Sequence, residues 1–179
     1  MKLADKLQAP YIKRWGIVGM GREQNIAEHS FVVALIAEDL YYSLIDGVEP
    51  EPAIVRQMYE LAIWHDMAEV FTGDINSKIK REMKINDDAL CPRAVQAREA
   101  QDHYWQHHIV AISDTIEAMN YARVHGFDNA RKPEVLDFLQ AKLDDQIQKA
   151  NEEHPQFDWD AAVADILQQI QGKEKARGH

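Results

Sequence analysis

The sequence predicts an all-helical protein, and three observations carry that expectation. Apolar residues recur at three- and four-residue intervals through most of the chain, no segment shows clear strand-like alternation, and Pro, Gly or capping residues sit where the periodic runs begin and end. With 179 residues, 46% of them hydrophobic and 28% charged, the chain can bury one good-sized core. A single domain over residues 1–179 is expected, with 170–179 as a flexible tail.

Residues 2–8 fit a short helix ahead of Pro10, and 11–15 lead into a turn containing Gly16, Gly19 and Gly21. These glycines lack the spacing and the preceding strand of a dinucleotide fingerprint. Asn25 followed by Glu28 reads as a capping box opening a helix to about 45, with Phe31, Val32, Leu35, Ile36 and Leu40 as its buried stripe. Gly47, Pro50 and Pro52 separate it from a helix over 54–74, continuous to a stop at Gly73. Residues 75–86 carry Lys78, Lys80, Arg81 and Lys84, the one local excess of positive charge.

Pro92 opens a helix over about 93–107, and an apolar run from 108 continues to a stop near Gly126. Pro133 falls in the first turn of a helix whose stripe is Val135, Leu136, Leu139, Leu143 and Ile147, ended by His154-Pro155. Asp158 caps a last helix with Ala161, Ala162, Val163, Ile166, Leu167 and Ile170 mostly at core spacing.

A formal charge of −10 argues against a stable nucleic-acid complex, because such binding depends on Lys and Arg neutralising phosphates. It leaves a small phosphorylated substrate open, since a local cation cluster or a metal overrides the global sign. Cys91 is the only cysteine, so a disulfide framework and a thiolate zinc site are both excluded. The charged N-terminus is not that of a signal peptide, and no run approaches the roughly 20 apolar residues of a membrane span. A cytoplasmic location without membrane partners is expected.

Four residues stand out as candidate ligands: His29, His65, Asp66 and Asp114. Two imidazoles and two carboxylates form a mixed N/O donor set suited to zinc, manganese, iron, cobalt or nickel. Glu69 lies three residues beyond Asp66 on the same side of a helix, and Asp74 hangs just past Gly73. Taken singly, each has a plainer reading: an ordinary helix histidine, a capping or ion-paired aspartate, a solvated glutamate. Asp114 interrupts an apolar run, where an unpaired carboxylate is expensive. His103 and His107 also fall at i and i+4 beside His108, but their polar flanks favour a surface face.

The ordered set His29, His65-Asp66 and Asp114 resembles the HD-domain metal phosphohydrolases. Arg14-Trp15, Asn25-Ile26-Ala27-Glu28-His29-Ser30, the run from His65 through Asp74, and Ser113-Asp114-Thr115-Ile116-Glu117-Ala118 are similar to the bacterial 5′-deoxynucleotidase branch. The resemblance covers residues 11–80 and 108–121. It implies an HD-type helical bundle that forms homo-oligomers, dimers or larger. It also implies one divalent metal ion (Co, Mn, Zn, Fe, Ni or Mg) held by His29, His65, Asp66 and Asp114, the last also lying at the substrate.

By the same resemblance Arg14 grips phosphate, Trp15 packs on the sugar, and Glu69 and Asp74 are active-site acids. Lys78 and Lys80 assist if their loop folds over the site. The implied reaction is hydrolysis of a small deoxynucleotide, a deoxyribonucleoside 5′-monophosphate, to deoxynucleoside and phosphate. The alternative is a deoxynucleoside triphosphate triphosphohydrolase releasing intact triphosphate, as in related viral and bacterial members. A noncatalytic metal-stabilised binding protein is a third reading, which the spare acids Glu69 and Asp74 disfavour. After Asp74 the chain departs from the pattern, with Ile75-Asn76-Ser77-Lys78-Ile79-Lys80 where the family has a Pro-containing stretch.

Overall fold

The computed structural model describes residues 1–15, 20–75, 77–99, 105–126 and 131–177; side chains at 77, 78, 81, 87, 88, 97–99 and 172–177 are not described. The sequence readings of Gly16, Gly19, His103 and the Lys78 and Arg81 side chains therefore lie outside the described residues.

The helices are α1 (Leu3–Lys6), α2 (Ile26–Ile45), α3 (Pro52–Trp64), α4 (Glu69–Thr72), α5 (Ser77–Glu82), α6 (Asp87–Leu90), α7 (Pro92–Glu99), α8 (Gln106–His125), α9 (Arg131–Glu153) and α10 (Trp159–Arg177). Extended pairing among the described residues is limited to two isolated bridges, Lys13 with Asn25 and Met20 with Gly126. The all-α expectation therefore holds, and the fold is a helical bundle.

α8 is the central strut. It packs against α2, α3 and α9, and its Ile109, Ile112, Ile116 and Met119 are almost fully buried. One core cluster joins these residues to Val33, Leu40, Met58, Leu143 and Trp159 on the surrounding helices. A second, smaller cluster around Ile26, Met67, Ala68 and Cys91 lies under the site described below. No helix among the described residues is long and apolar enough to cross a membrane.

Caps behave as their chemistry dictates. Asn25 Oδ1 accepts from the Glu28 N–H at 2.9 Å to open α2, but the Glu28 carboxylate pairs with Arg22 instead of returning to the cap. Asp158 Oδ1 accepts from the Ala161 N–H at 3.0 Å to open α10. The last helix runs to Arg177. The helix opened by Pro92 is only eight residues long, and α8 starts at Gln106 without interruption between His107 and His108.

Two sequence expectations are corrected. The buried stripe of α2 is Ile26, His29, Ser30, Val33, Ala34, Ala37, Leu40, Tyr41 and Leu44, whereas Phe31 and Leu35 are 64% and 44% exposed. α2 carries apolar residues around most of its circumference, so periodicity leaves its rotation open, and burial of His29 sets it. The expected continuous helix over 54–74 also breaks. Trp64 is its last α-helical residue, and His65–Ala68 form tight turns in which the Met67 and Glu69 N–H groups bond the Trp64 and Asp66 carbonyls three residues back. That tightening turns His65 and Asp66 together toward α2 and α8.

The rotation of α2 can be tested by truncation. Tyr41→Ala is expected to lower unfolding free energy by about 3–5 kcal/mol, as for a buried aromatic, while Phe31→Ala changes it by no more than about 0.5 kcal/mol in urea titrations. Equal losses would mean that the sequence-based stripe was right.

Candidate metal centre

The site is assembled from six parts of the chain: the segment before α2, α2 itself, the turn after α3, α4 with its following loop, α5, and α8 with α9 behind it. His29 is the centre. Its ring is fully buried, and a buried imidazole needs both nitrogens engaged. Nδ1 lies 2.6 Å from Glu117 Oε2; the carboxylate can only accept there, so Nδ1 carries the hydrogen. Nε2 then faces His65 Nε2 at 3.2 Å, Asp114 Oδ1 at 3.2 Å and Asp66 Oδ2 at 3.5 Å.

His65 is fixed in the same tautomeric sense. Its Nδ1 donates to the Ala62 carbonyl at 2.7 Å, leaving Nε2 to face the cluster, 3.4 Å from Asp66 Oδ2. Donor atoms around a tetrahedral ion with bonds of about 2.0–2.1 Å lie about 3.3 Å apart. His29, His65 and Asp66 present separations of that size and each places a donor atom within 4.8 Å of the other two, and Asp114 Oδ1 lies at a like distance from His29 Nε2.

Charge gives an independent test of the fit. Among the described side chains, five carboxylates gather here, Asp66, Glu69, Asp74, Asp114 and Glu117, against the cations Arg14, Lys80 and Lys142. With neutral imidazoles and every carboxylate ionised, the excess among these groups is two negative charges, which one dication offsets. In the protein alone, protons take that part. Burial works against charging His65, yet Asp66 outweighs it and raises the imidazole to about 9; His29 is raised likewise by Asp114 and Glu117 against a larger burial effect. Burial would raise Asp66 and Asp114, but the facing imidazoles, with Arg14 and Lys142, hold both carboxylates low.

Arg14 Nη2 is 3.8 Å from Asp66 and Nη1 3.6 Å from Glu117, while buried Nε and Nη1 make no hydrogen bond. Glu69 is buried at the start of α4. Its Oε1 accepts from Lys80 Nζ at 2.9 Å, and its buried Oε2 is unpartnered. Burial, with repulsion from Asp66, pushes Glu69 up to about 7 despite that lysine. Asp74 accepts from the Trp15 backbone N–H at 2.8 Å. Trp15 adopts φ +67°, an unusual conformation for a bulky residue. It is held there by Asp74, by a 3.0 Å bond from its indole N–H to Gln24 Oε1, and by stacking with Tyr121 at 6.1 Å.

The structure thus brings together Arg14, Trp15, His29, His65, Asp66, Glu69, Asp74, Lys80 and Asp114; Lys78 lies outside the described side chains. Sequence reasoning missed Glu117, Gln24 and Lys142. Glu117 follows Asp114 by three residues, so both project from one face of α8, a signal available in the sequence. Gln24 Nε2 donates to Glu117 Oε1, linking the Trp15 indole to the carboxylate behind His29. Lys142 reaches Asp114 Oδ2 at 3.2 Å from α9, with no marker in the chain to announce it.

An all-helical bundle with convergent His and Asp donors, buried acids and unsatisfied arginine donors defines a metal-dependent phosphohydrolase of the HD type. The family model described as 5′-deoxynucleotidase YfbR-like matches residues 2–90. A dATP triphosphohydrolase of Salmonella phage PMBT28 is 35% identical over 68% of this chain and 66% of its own length. A dATP triphosphohydrolase of Cyanophage S-2L is 33% identical over 68% of this chain and 70% of its own. A 5′-deoxynucleotidase of Pasteurella multocida is 29% identical over 56% of this chain and 47% of its own. Among solved structures, the Cyanophage S-2L HD phosphohydrolase bound to dA and one catalytic Zn²⁺ ion superposes with a TM-score of 0.77 at 25% identity, covering 98% of both chains.

The chain belongs to the HD-domain nucleotide phosphohydrolases, in the group that includes 5′-deoxynucleotidases and dATP triphosphohydrolases. Its cofactor is a single divalent ion held by His and Asp residues.

Glu117→Gln keeps the shape behind His29 but removes the anion that orients and enriches its ring. Metal affinity measured by chelator competition is expected to fall by roughly 10–100-fold. Unchanged affinity would reduce Glu117 to a packing residue.

Proposed function

We propose that the protein hydrolyses deoxynucleoside triphosphates to deoxynucleoside and intact triphosphate, with dATP as the first substrate to try. The observation that carries this reading is the set of cations around the donor cluster. Arg14 has buried Nε and Nη1 donors that make no hydrogen bond, while Lys80 and Lys142 approach from two further elements. Three cations suit a polyanionic chain better than a single phosphate. The relatives described as dATP triphosphohydrolases also align over more of this chain than the 5′-deoxynucleotidase does. The monophosphatase expected from the resemblance becomes the second reading, favoured by the match of residues 2–90 to the deoxynucleotidase family model.

In this proposal His29, His65, Asp66 and Asp114 hold the ion, which supplies a Lewis acid that polarises phosphoryl oxygens and acidifies a water. Arg14 presents its planar fork to the phosphates and so aligns the phosphorus. Glu69, raised toward neutrality, receives the attacking water's proton on its unpartnered Oε2, and Lys80 fixes the carboxylate through Oε1. Asp74 acts through Trp15, holding the wall against which the sugar packs. Deoxyribose fits that wall better than a ribose with its added hydroxyl.

Chromatography of products from metal-loaded enzyme decides between the readings: tripolyphosphate from dATP supports the proposal, and phosphate from dAMP with no attack on dATP rejects it. Glu69→Gln is expected to lower kcat by about 10²-fold or more while leaving metal affinity within a few-fold; full turnover would remove it as the proton acceptor. Because His29 and His65 hold protons that the ion must displace, stripped protein should bind Zn²⁺ more tightly at pH 8 than at pH 6. A pH-independent affinity in calorimetry would exclude the imidazoles as ligands.

A further inference from the structure

A second group of metal-type donors lies at the other end of the α8–α9 seam. His108, in the first turn of α8, meets Glu153, the last residue of α9, and His154 just beyond it; each offers a donor atom within 4.8 Å of the other two. His108 Nε2 and Glu153 Oε2 are 2.9 Å apart, and the two imidazoles are T-shaped at 5.5 Å between centroids. An ion pair between His108 and Glu153 would explain one of these contacts. It gives no reason for a second imidazole placed against the first.

The cluster is built on a rigid floor. Trp159 is fully buried, and its ring edge meets His108 at 6.0 Å within an aromatic group that includes Trp105 and Phe157. The His154 carbonyl accepts from Trp159 Nε1 at 3.2 Å and from the Phe157 N–H at 3.3 Å, and Pro155 further restricts the backbone of His154. His108 is only 12% exposed, whereas Glu153, at 63%, is free to adjust.

We propose that His108, Glu153 and His154 bind a second divalent ion of the zinc class, with water completing the coordination, separate from the catalytic centre. Two imidazoles and one carboxylate form a recognised open zinc set. The ion would close one end of a seam whose side chains already pair in antiparallel order, with Gln146 donating to the Ala111 carbonyl and Lys142 to Asp114. Asp114 lies six residues beyond His108, about 9 Å along the helix. The second ion therefore clamps the helix that carries Asp114 and Glu117 without touching the reacting groups.

The test uses the full chain, stripped with chelator, reloaded with Zn²⁺ and freed of excess ion before elemental analysis. His154→Gln should hold one ion fewer per chain than wild type while keeping its phosphohydrolase activity, and His65→Ala should retain that ion. Glu153→Gln, at an exposed position, should show the same loss of one ion and serves as the check if His154→Gln fails to fold. Zinc should also raise the melting temperature of His65→Ala but not that of His65→Ala combined with Glu153→Gln. The proposal is overturned if the folded His154 or Glu153 variant holds as many ions as wild type, or if His65→Ala holds none.

Discussion

Complete burial of His29 is the constraint on which this fold turns. An imidazole without solvent must satisfy both nitrogens inside the protein, and here one bonds Glu117 while the other faces His65, Asp66 and Asp114. Each partner comes from an element that must approach α2 closely. That requirement selects the face α2 turns inward and leaves Phe31 and Leu35 on the outside. A helix that could satisfy the hydrophobic effect in several rotations is thus fixed by a polar group.

The same demand explains the irregular backbone around the site. A straight α-helix through residues 54–74 would splay His65 and Asp66 around its axis. The three-residue turns after Trp64 bring both to one point and let Glu69 enter from a new short helix. Before α2 the chain is paired back on itself, with the Arg14 N–H donating to the Gln24 carbonyl and the Ile26 N–H to that of Ile12. Trp15 keeps its positive φ because three separate contacts hold it, an arrangement typical of strain maintained at a working site.

Gln24 joins the two halves of this arrangement. One end of its amide accepts from the Trp15 indole and the other donates to Glu117, which orients His29. The proposed sugar wall and the donor cluster therefore share a buried hydrogen-bonded connection, and displacement of either is felt by the other. α8 makes this possible by carrying Asp114 and Glu117 on one face and Tyr121 one turn beyond.

The sequence by itself determined the helical class, most helix starts and stops, and which residues offer metal-type donor atoms. Those features depend on local spacing, capping chemistry and proline geometry, all of which act within a few neighbours. Only the tertiary structure decided which face of α2 is buried, where the helix after Pro52 ends, and that Glu117, Gln24 and Lys142 belong to the site. It also separated His108 from the helix-surface histidines and set it beside Glu153 and His154. These outcomes follow from convergence of charges across helices distant in sequence, and the cost of leaving a buried polar group unpaired is settled only when the partner helices arrive.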